Sequence, residues 1–276
     1  MKDEVVMKRI CLVSFFVLFI VSLSTSARSE NRAFVIGEKV SIRSDVLGED
    51  RELFIYLPQD YEKSMKKYPV LYILDGEWHF VHTSGVVQFL SSPGVERIPE
   101  MLVVAVVNTA RGRDLSPSTW PGYETYTGGA DNFLRYFKDE LIPYIDGHYR
   151  TLSTKILVGH SLAGTFTLYA FLTQPEIFDA YIPLSPCLFW HDRFMMKKAE
   201  FFLKKFKDIA NIVYIAHEYA SGKAATSMQE FVELFRSERL ENLRWASILM
   251  ERETHYSYVH RAIHEGLEFI YLADKD

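Results

Sequence analysis

A serine hydroxyl becomes a useful nucleophile when an imidazole can take its proton, and one serine of this chain stands where the backbone would expose it for that purpose. Ser161 is the centre of Gly159-His-Ser-Leu-Ala-Gly164. The run Ile156-Leu-Val158 before it reads as a buried strand, and the apolar pattern from Leu162 to Leu172 reads as a helix. A chain turning sharply from strand into helix strains its central residue, so the residues two positions away must be small. Gly159 and Ala163 meet that demand; the usual pattern has glycine at the fifth position, where this chain has Ala163 followed by Gly164. A short Gly-x-Ser pattern alone also describes a serine capping a helix. The strand before it and the helix after it are what point to a nucleophile. The same corner puts the backbone N–H of Leu162 where a developing oxyanion would bind.

The base must accept the serine proton, and a carboxylate should orient the imidazole and stabilise its cation. For a nucleophile on this kind of turn the chain order is serine, acid, histidine. The histidines after Ser161 are His191, His217, His255, His260 and His264. His255 follows the apolar run Trp245–Met250 and precedes the last helical pattern, which is the place for the base, whereas His260 and His264 sit one turn apart within that pattern. The acid is expected in the loop after the run Ile212–Ile215, where Glu218 is the first carboxylate; Asp192 and Glu230 are the other candidates. The turn Asp75-Gly76-Glu77 closes the run Val70–Leu74, and the backbone N–H of Glu77 is the expected second oxyanion donor.

These groups need a scaffold that brings distant segments together. Short apolar runs at Leu53–Leu57, Val70–Leu74, Leu102–Val107, Ile156–Val158, Ala180–Leu184, Ile212–Ile215 and Trp245–Met250 read as strands, with Pro183 weakening the fifth. Helical spacing appears at Phe80–Leu90, Asn132–Ile145, Leu162–Leu172, Phe194–Phe206, Ser227–Arg239 and Tyr258–Leu272. Buried strands alternating with amphipathic helices predict an α/β fold, a mainly parallel sheet with helices on both faces. The segment from Phe34 to Ile42 is expected to add antiparallel strands at one edge. Functional groups then gather beyond the carboxyl ends of the strands.

Of the 276 residues, 48% are hydrophobic and 24% charged, which excludes a disordered or fibrous chain. A net charge of -5 with mixed signs gives no basic face for nucleic acid or an anionic membrane. The expected partner is a small molecule. Lys2, Lys8 and Arg9 precede an apolar run from Ile10 to Leu23, followed by small residues up to Ala27, which is the layout of a signal peptide over residues 1–27. Residues 28–276 then form a single exported domain, periplasmic or secreted. Cys11 falls in the leader, leaving Cys187 alone, so the mature domain is expected to rest on core packing without an internal disulfide.

Ordered blocks along the chain carry a wider likeness. Tyr68-Pro-Val-Leu-Tyr-Ile-Leu-Asp-Gly76, Asn108 through Pro117, Gly128-Gly-Ala-Asp-Asn-Phe133, Glu140-Leu-Ile-Pro-Tyr-Ile145, Gly159-His-Ser-Leu-Ala-Gly164 and the His255 segment together resemble the esterase family of α/β-hydrolases. That family includes esterase D, feruloyl esterases, mycolyltransferases and siderophore trilactone esterases. The resemblance runs from about Phe34 to Tyr271 and is nearest to the siderophore esterase branch. It implies the α/β-hydrolase fold, a triad of Ser161, Glu218 and His255, and an oxyanion hole of the Leu162 and Glu77 amides. The resemblance does not by itself give the substrate; siderophore-type and aryl esters are the candidates. Arg111, Arg113 and Trp120 are candidates for substrate binding, with the alternative that Arg113 and Asp114 pair to hold their loop. Acyl transfer through an acyl-enzyme on Ser161 needs no metal or organic cofactor. An acyltransferase using the same triad, or a non-catalytic binding protein, are the competing readings. The leader predicts cleavage after Ala27, so mass spectrometry of the exported protein is expected to find Arg28 at its amino terminus.

Overall fold

Runs of apolar, β-branched residues too short for a helix bury themselves best as inner strands of a covered sheet. The computed structural model describes residues 33–205, 209–218, 221–237, 240 and 242–272. The leader expected over 1–27 lies outside them. The chain divides into Met1–Val35 and Ile36–Asp276, and the fold belongs to the second unit. Its strands are β1 (Glu38–Ser44), β2 (Glu49–Tyr56), β3 (Tyr68–Ile73), β4 (Leu102–Val106), β5 (Thr151–His160), β6 (Ala180–Leu184), β7 (Ile212–Glu218) and β8 (Arg244–Met250). They form one sheet in the order β1-β2-β4-β3-β5-β6-β7-β8. Only β1 and β2 run antiparallel to their neighbours, at the expected edge.

Alternation of side chains divides the interior into two cores. Leu71 and Ile73 join Val103 and Ala105 on one face, while Val70 and Tyr72 join Leu102 and Val104 on the other. The first face is covered by α1 (Gly76–Ser91) and α7 (Val259–Leu272). The second is covered by α2 (Ala130–Tyr136), α3 (Ile142–His148), α4 (Leu162–Phe171), α5 (Trp190–Lys205) and α6 (Gly222–Ser237). This is the α/β-hydrolase architecture.

The single helix expected over Asn132–Ile145 is interrupted by a π-helical turn, Phe137–Leu141, between α2 and α3. Pro143 explains the break, because its ring would collide with the carbonyl four residues earlier in a regular helix and the wider turn relieves this. The expected period survives: Phe133, Phe137, Leu141 and Ile145 are all buried. Inside α5, residues 191–193 leave helical geometry, so the regular helix starts at Phe194 as its apolar spacing implied. Pro183 does lie in an inner strand. The ladder from β6 to β7 lapses at Ile182 and Pro183 and resumes at Leu184, which accommodates the missing N–H.

Aromatic rings fill the larger core. Phe137 is fully buried and meets Tyr72, Phe133, Phe166 and Phe178 at ring centroid distances of 5.9, 5.2, 6.1 and 5.7 Å. Phe137→Ala is expected to cost about 3–5 kcal/mol of stability, read as a lower urea midpoint with an unchanged slope.

Candidate active site

Parallel pairing brings the carboxyl ends of β3, β5, β6, β7 and β8 to one edge of the sheet, and the candidate residues follow those ends. Ser161, directly after β5, has φ 60° and ψ −118°, a conformation L side chains rarely adopt. Its N–H donates to the Leu184 carbonyl at 2.8 Å, and its own carbonyl accepts from Thr165 N–H at 2.9 Å. The demand for small neighbours is sharper than the sequence pattern conveyed. A Cβ on Gly159 would lie 2.4 Å from the Ala163 oxygen, and one on Gly164 would lie 2.2 Å from the Leu184 oxygen. Gly164, not the fifth position of the pattern, is therefore where the corner needs glycine on its helical side.

The second corner lies beside the first. Ile73 of β3 pairs with Val158 of β5, so Glu77 and Leu162 each stand four residues past a paired position, in the opening turns of α1 and α4. Amides in a first helical turn have no acceptor within the helix. Asp75 turns the chain there at φ 54°, is 1% exposed, and is clamped by Arg111 through Nε and Nη2 at 2.7 and 2.8 Å. Asn108 Nδ2 adds bonds to Asp75 at 2.7 Å and to the Glu77 carboxylate at 2.8 Å. The Glu77 side chain is thus turned away to Asn108.

Glu218 is the last residue of β7, paired in register with Met250, and not a loop residue as expected; the ladder with β8 simply runs that far. Its Oε1 accepts from His255 Nδ1 at 2.7 Å. That bond fixes the proton on Nδ1 and leaves Nε2 with a lone pair. Oε2 accepts from Ser185 Oγ, and Tyr258 lies 2.6 Å from the same hydroxyl. With the Ser185 proton committed to the carboxylate, Tyr258 is the donor of that second bond. Burial opposes ionisation of Glu218, but the bonds from His255 and Ser185 and its own backbone N–H together hold its pKa down at about 2. Burial pushes the Tyr258 hydroxyl up, so it remains a donor. The reserve acids are engaged elsewhere: Asp192 with Lys197 and Glu230 with Arg193, both at 2.6 Å.

Ser161, Glu218 and His255 line one cavity of about 680 Å³. Ser161 and His255 line this cavity together without a hydrogen bond between them. His160 packs against His255 with tilted rings, centroids 4.6 Å apart. Burial, then the neighbouring His255 and His79, lower its pKa to about 4, so it is neutral beside the candidate base.

A family model described as "Putative esterase" matches residues 44–256. The chain belongs to that esterase family. Ferri-bacillibactin esterase BesA of Bacillus subtilis is 30% identical over 176 residues, 55% of this chain and 60% of that protein. A siderophore triacetylfusarinine C esterase of Aspergillus fumigatus is 27% identical over 157 residues, 53% of each chain. The chain therefore spans between 53% and 60% of the length of these relatives. Among solved structures, an IroE-like serine hydrolase from Shewanella oneidensis superposes with a TM-score of 0.80 at 29% identity, covering 85% of this chain and 80% of that one. The BES protein from Bacillus cereus shares the fold, with a TM-score of 0.78 at 23% identity over 91% and 100% of the two chains.

In this member of the esterase family the three expected substrate-binding residues stand away from the cavity. Arg111 is spent on Asp75. Arg113 bonds to Glu49 at 2.6 Å and Asp114 at 2.7 Å, as its loop-holding alternative required. Trp120 lies near His191, with ring centroids 5.8 Å apart, and does not line the cavity. Both guanidinium groups are taken up by carboxylates from other elements, Arg111 by Asp75 and Arg113 by Glu49. Ser185 and Tyr258 went unread because an isolated Ser-Pro and a tyrosine at a helix start carry no pattern. Cys187 lines the cavity while its N–H donates to Thr165 Oγ1 at 2.7 Å.

A carboxylate held at about 2 against the usual 4.5 adds stability that is complete above about pH 4.5 and is lost as pH falls towards 2. The difference in unfolding free energy between the parent and Glu218→Gln is expected to be flat from neutral pH to about 5 and to shrink below that in denaturant titrations.

Proposed function

We propose that this chain is an exported serine carboxylic-ester hydrolase that works through an acyl-enzyme on Ser161 and acts on siderophore-type or aryl esters. The observation that carries the reading is the 2.7 Å bond from His255 Nδ1 to Glu218, in a cavity that Ser161 shares. In this reading His255 Nε2 takes the Ser161 proton as Oγ attacks the ester carbonyl. The Leu162 and Glu77 amides bind the oxyanion, each such donor contributing about 10²–10³ in rate. His255 returns the proton to the leaving alcohol, and then activates the water that releases the acid. Glu218 stays ionised throughout and stabilises the imidazolium.

The names of the relatives support the substrate class, since BesA acts on ferri-bacillibactin and the Aspergillus fumigatus protein on triacetylfusarinine C. Export rests on the basic start and apolar run of residues 1–27. No described helix is long and apolar enough to cross a membrane. Ser161→Ala is expected to lower kcat on an activated aryl ester by about 10⁴-fold or more while circular dichroism and the unfolding midpoint stay unchanged. Retained turnover in a folded variant would refute the assignment.

A further inference from the structure

The cavity is longer than the chemistry needs. Three turns of α6 line it from Ala224 to Arg236, about 18 Å of helix at ~1.5 Å per residue. α6 follows the carboxyl end of β7 and leads to the amino end of β8, so it runs back along the sheet, away from Ser161. Ala225, Met228 and Val232 present one apolar stripe to the cavity, and Gln229, Glu233 and Arg236 form an exposed polar rim beside it. The facing wall is β8. Met250 joins the core under α7, so Ser247 and Leu249 point the other way, towards α6. One turn past Val232, Phe235 meets Trp245 edge to face at 5.6 Å and joins helix to strand. The result is a trough with an apolar floor and a polar lip.

Its position relative to the reacting atoms decides which half of a substrate it can hold. The Leu162 and Glu77 amides follow β5 and β3, whereas the trough lies on the other side of Ser161, lined by residues that follow or belong to β6, β7 and β8. His255 and Glu218 are part of its wall. In acylation the Ser161 Oγ to carbonyl carbon bond forms and the carbon to alkoxy oxygen bond breaks. The serine proton travels through His255 Nε2 to that departing oxygen. The departing oxygen must therefore be within reach of His255. On the proposed serine hydrolase reading, we infer that the trough between α6 and β8 holds the alcohol half of the ester, and that this half is elongated and largely apolar.

Two ester series test this by kcat/KM: acetates of alcohols from two to eight carbons, and ethyl esters of acids over the same range. The expected result is a rise of about tenfold or more along the alcohol series and a weaker dependence on acyl length. A rise confined to the acyl series, or no length dependence in either, overturns the assignment. Leu249→Trp and Gln229→Trp place rings at exposed positions of the two walls, Leu249 being 43% exposed, so neither demands core space. In either variant that keeps its unfolding midpoint, the octyl-to-ethyl acetate ratio is expected to fall at least about fivefold. An unchanged ratio in both overturns the proposal. Labelling of Ser161 by a fluorophosphonate without turnover of any long-chain acetate overturns the trough alone. Absence of both labelling and turnover removes the hydrolase reading and the trough with it.

Discussion

The backbone of Ser161 is held at a strained φ and ψ, and the site depends on the chain keeping it there. Such a conformation costs of order 1–3 kcal/mol and persists only where the surroundings over-determine it. Here they do. The Ser161 N–H is tied to the end of β6 through Leu184, and its carbonyl takes a second bond from Thr165 Oγ1 at 3.1 Å beside that from the Thr165 N–H. The same Thr165 hydroxyl accepts from Cys187 N–H, so the nucleophile's corner and the loop after β6 share an anchor. Ser185, in that loop, then reaches Glu218. A continuous set of bonds thus runs from Ser161 through the end of β6 to Glu218, and His255 joins it through Glu218.

Electrostatics divides the candidate site into a charged side and a neutral side. Glu218 is ionised well below neutral pH by the donors around it. Across the imidazole of His255, His160 and then His79 are buried, and burial lowers the pKa of both. The buried rings of His160 and His79 thus lie on the opposite side of His255 from the ionised Glu218. The carboxylates on the other side of the nucleophile are neutralised in place: Asp75 by Arg111, and Asp114 by Arg51 at 2.6 Å and by Arg113. Removing Arg111 would leave a buried charge at the corner that aims the Glu77 amide.

What could be read from the residues follows the range of the interactions. The strands, the helices around them and the corner at Ser161 are local patterns of period and glycine spacing, and they were legible. Limits were missed where long-range pairing decides them. β5 starts at Thr151, well before its apolar run, because that polar stretch lies beside Tyr68 of β3 across a bulge. Glu218 ends a strand because Met250 pairs with it. The pairing of the arginines after β4 is decided in the same long-range way. A guanidinium near strand ends looks available for substrate until the fold supplies carboxylates such as Asp75 and Glu49 from elements far away in sequence. Ser185 and Tyr258 lacked a pattern because their role exists only once three separate segments meet.

The sheet also separates what must be rigid from what is free to vary. β3, β4 and β6 are buried at every position, and their neighbour β5 is buried over its last five residues. Around Ser161 and Glu77 any change in volume is therefore transmitted to both corners. β8 is the opposite. It is an edge strand with most positions partly or well exposed, and it faces the exposed rim of α6. Substitutions at Ser247 and Leu249 alter a wall of the cavity without entering either core. On the proposed function, chemistry built on packed inner strands and recognition built on an edge strand with one helix can change at different rates, because few contacts that hold Ser161 are shared with those that shape the trough. The loop after β6 belongs to both, since it lines the cavity with Phe189 and bonds to Glu218 through Ser185. That loop is where a change in substrate preference would carry a cost in rate.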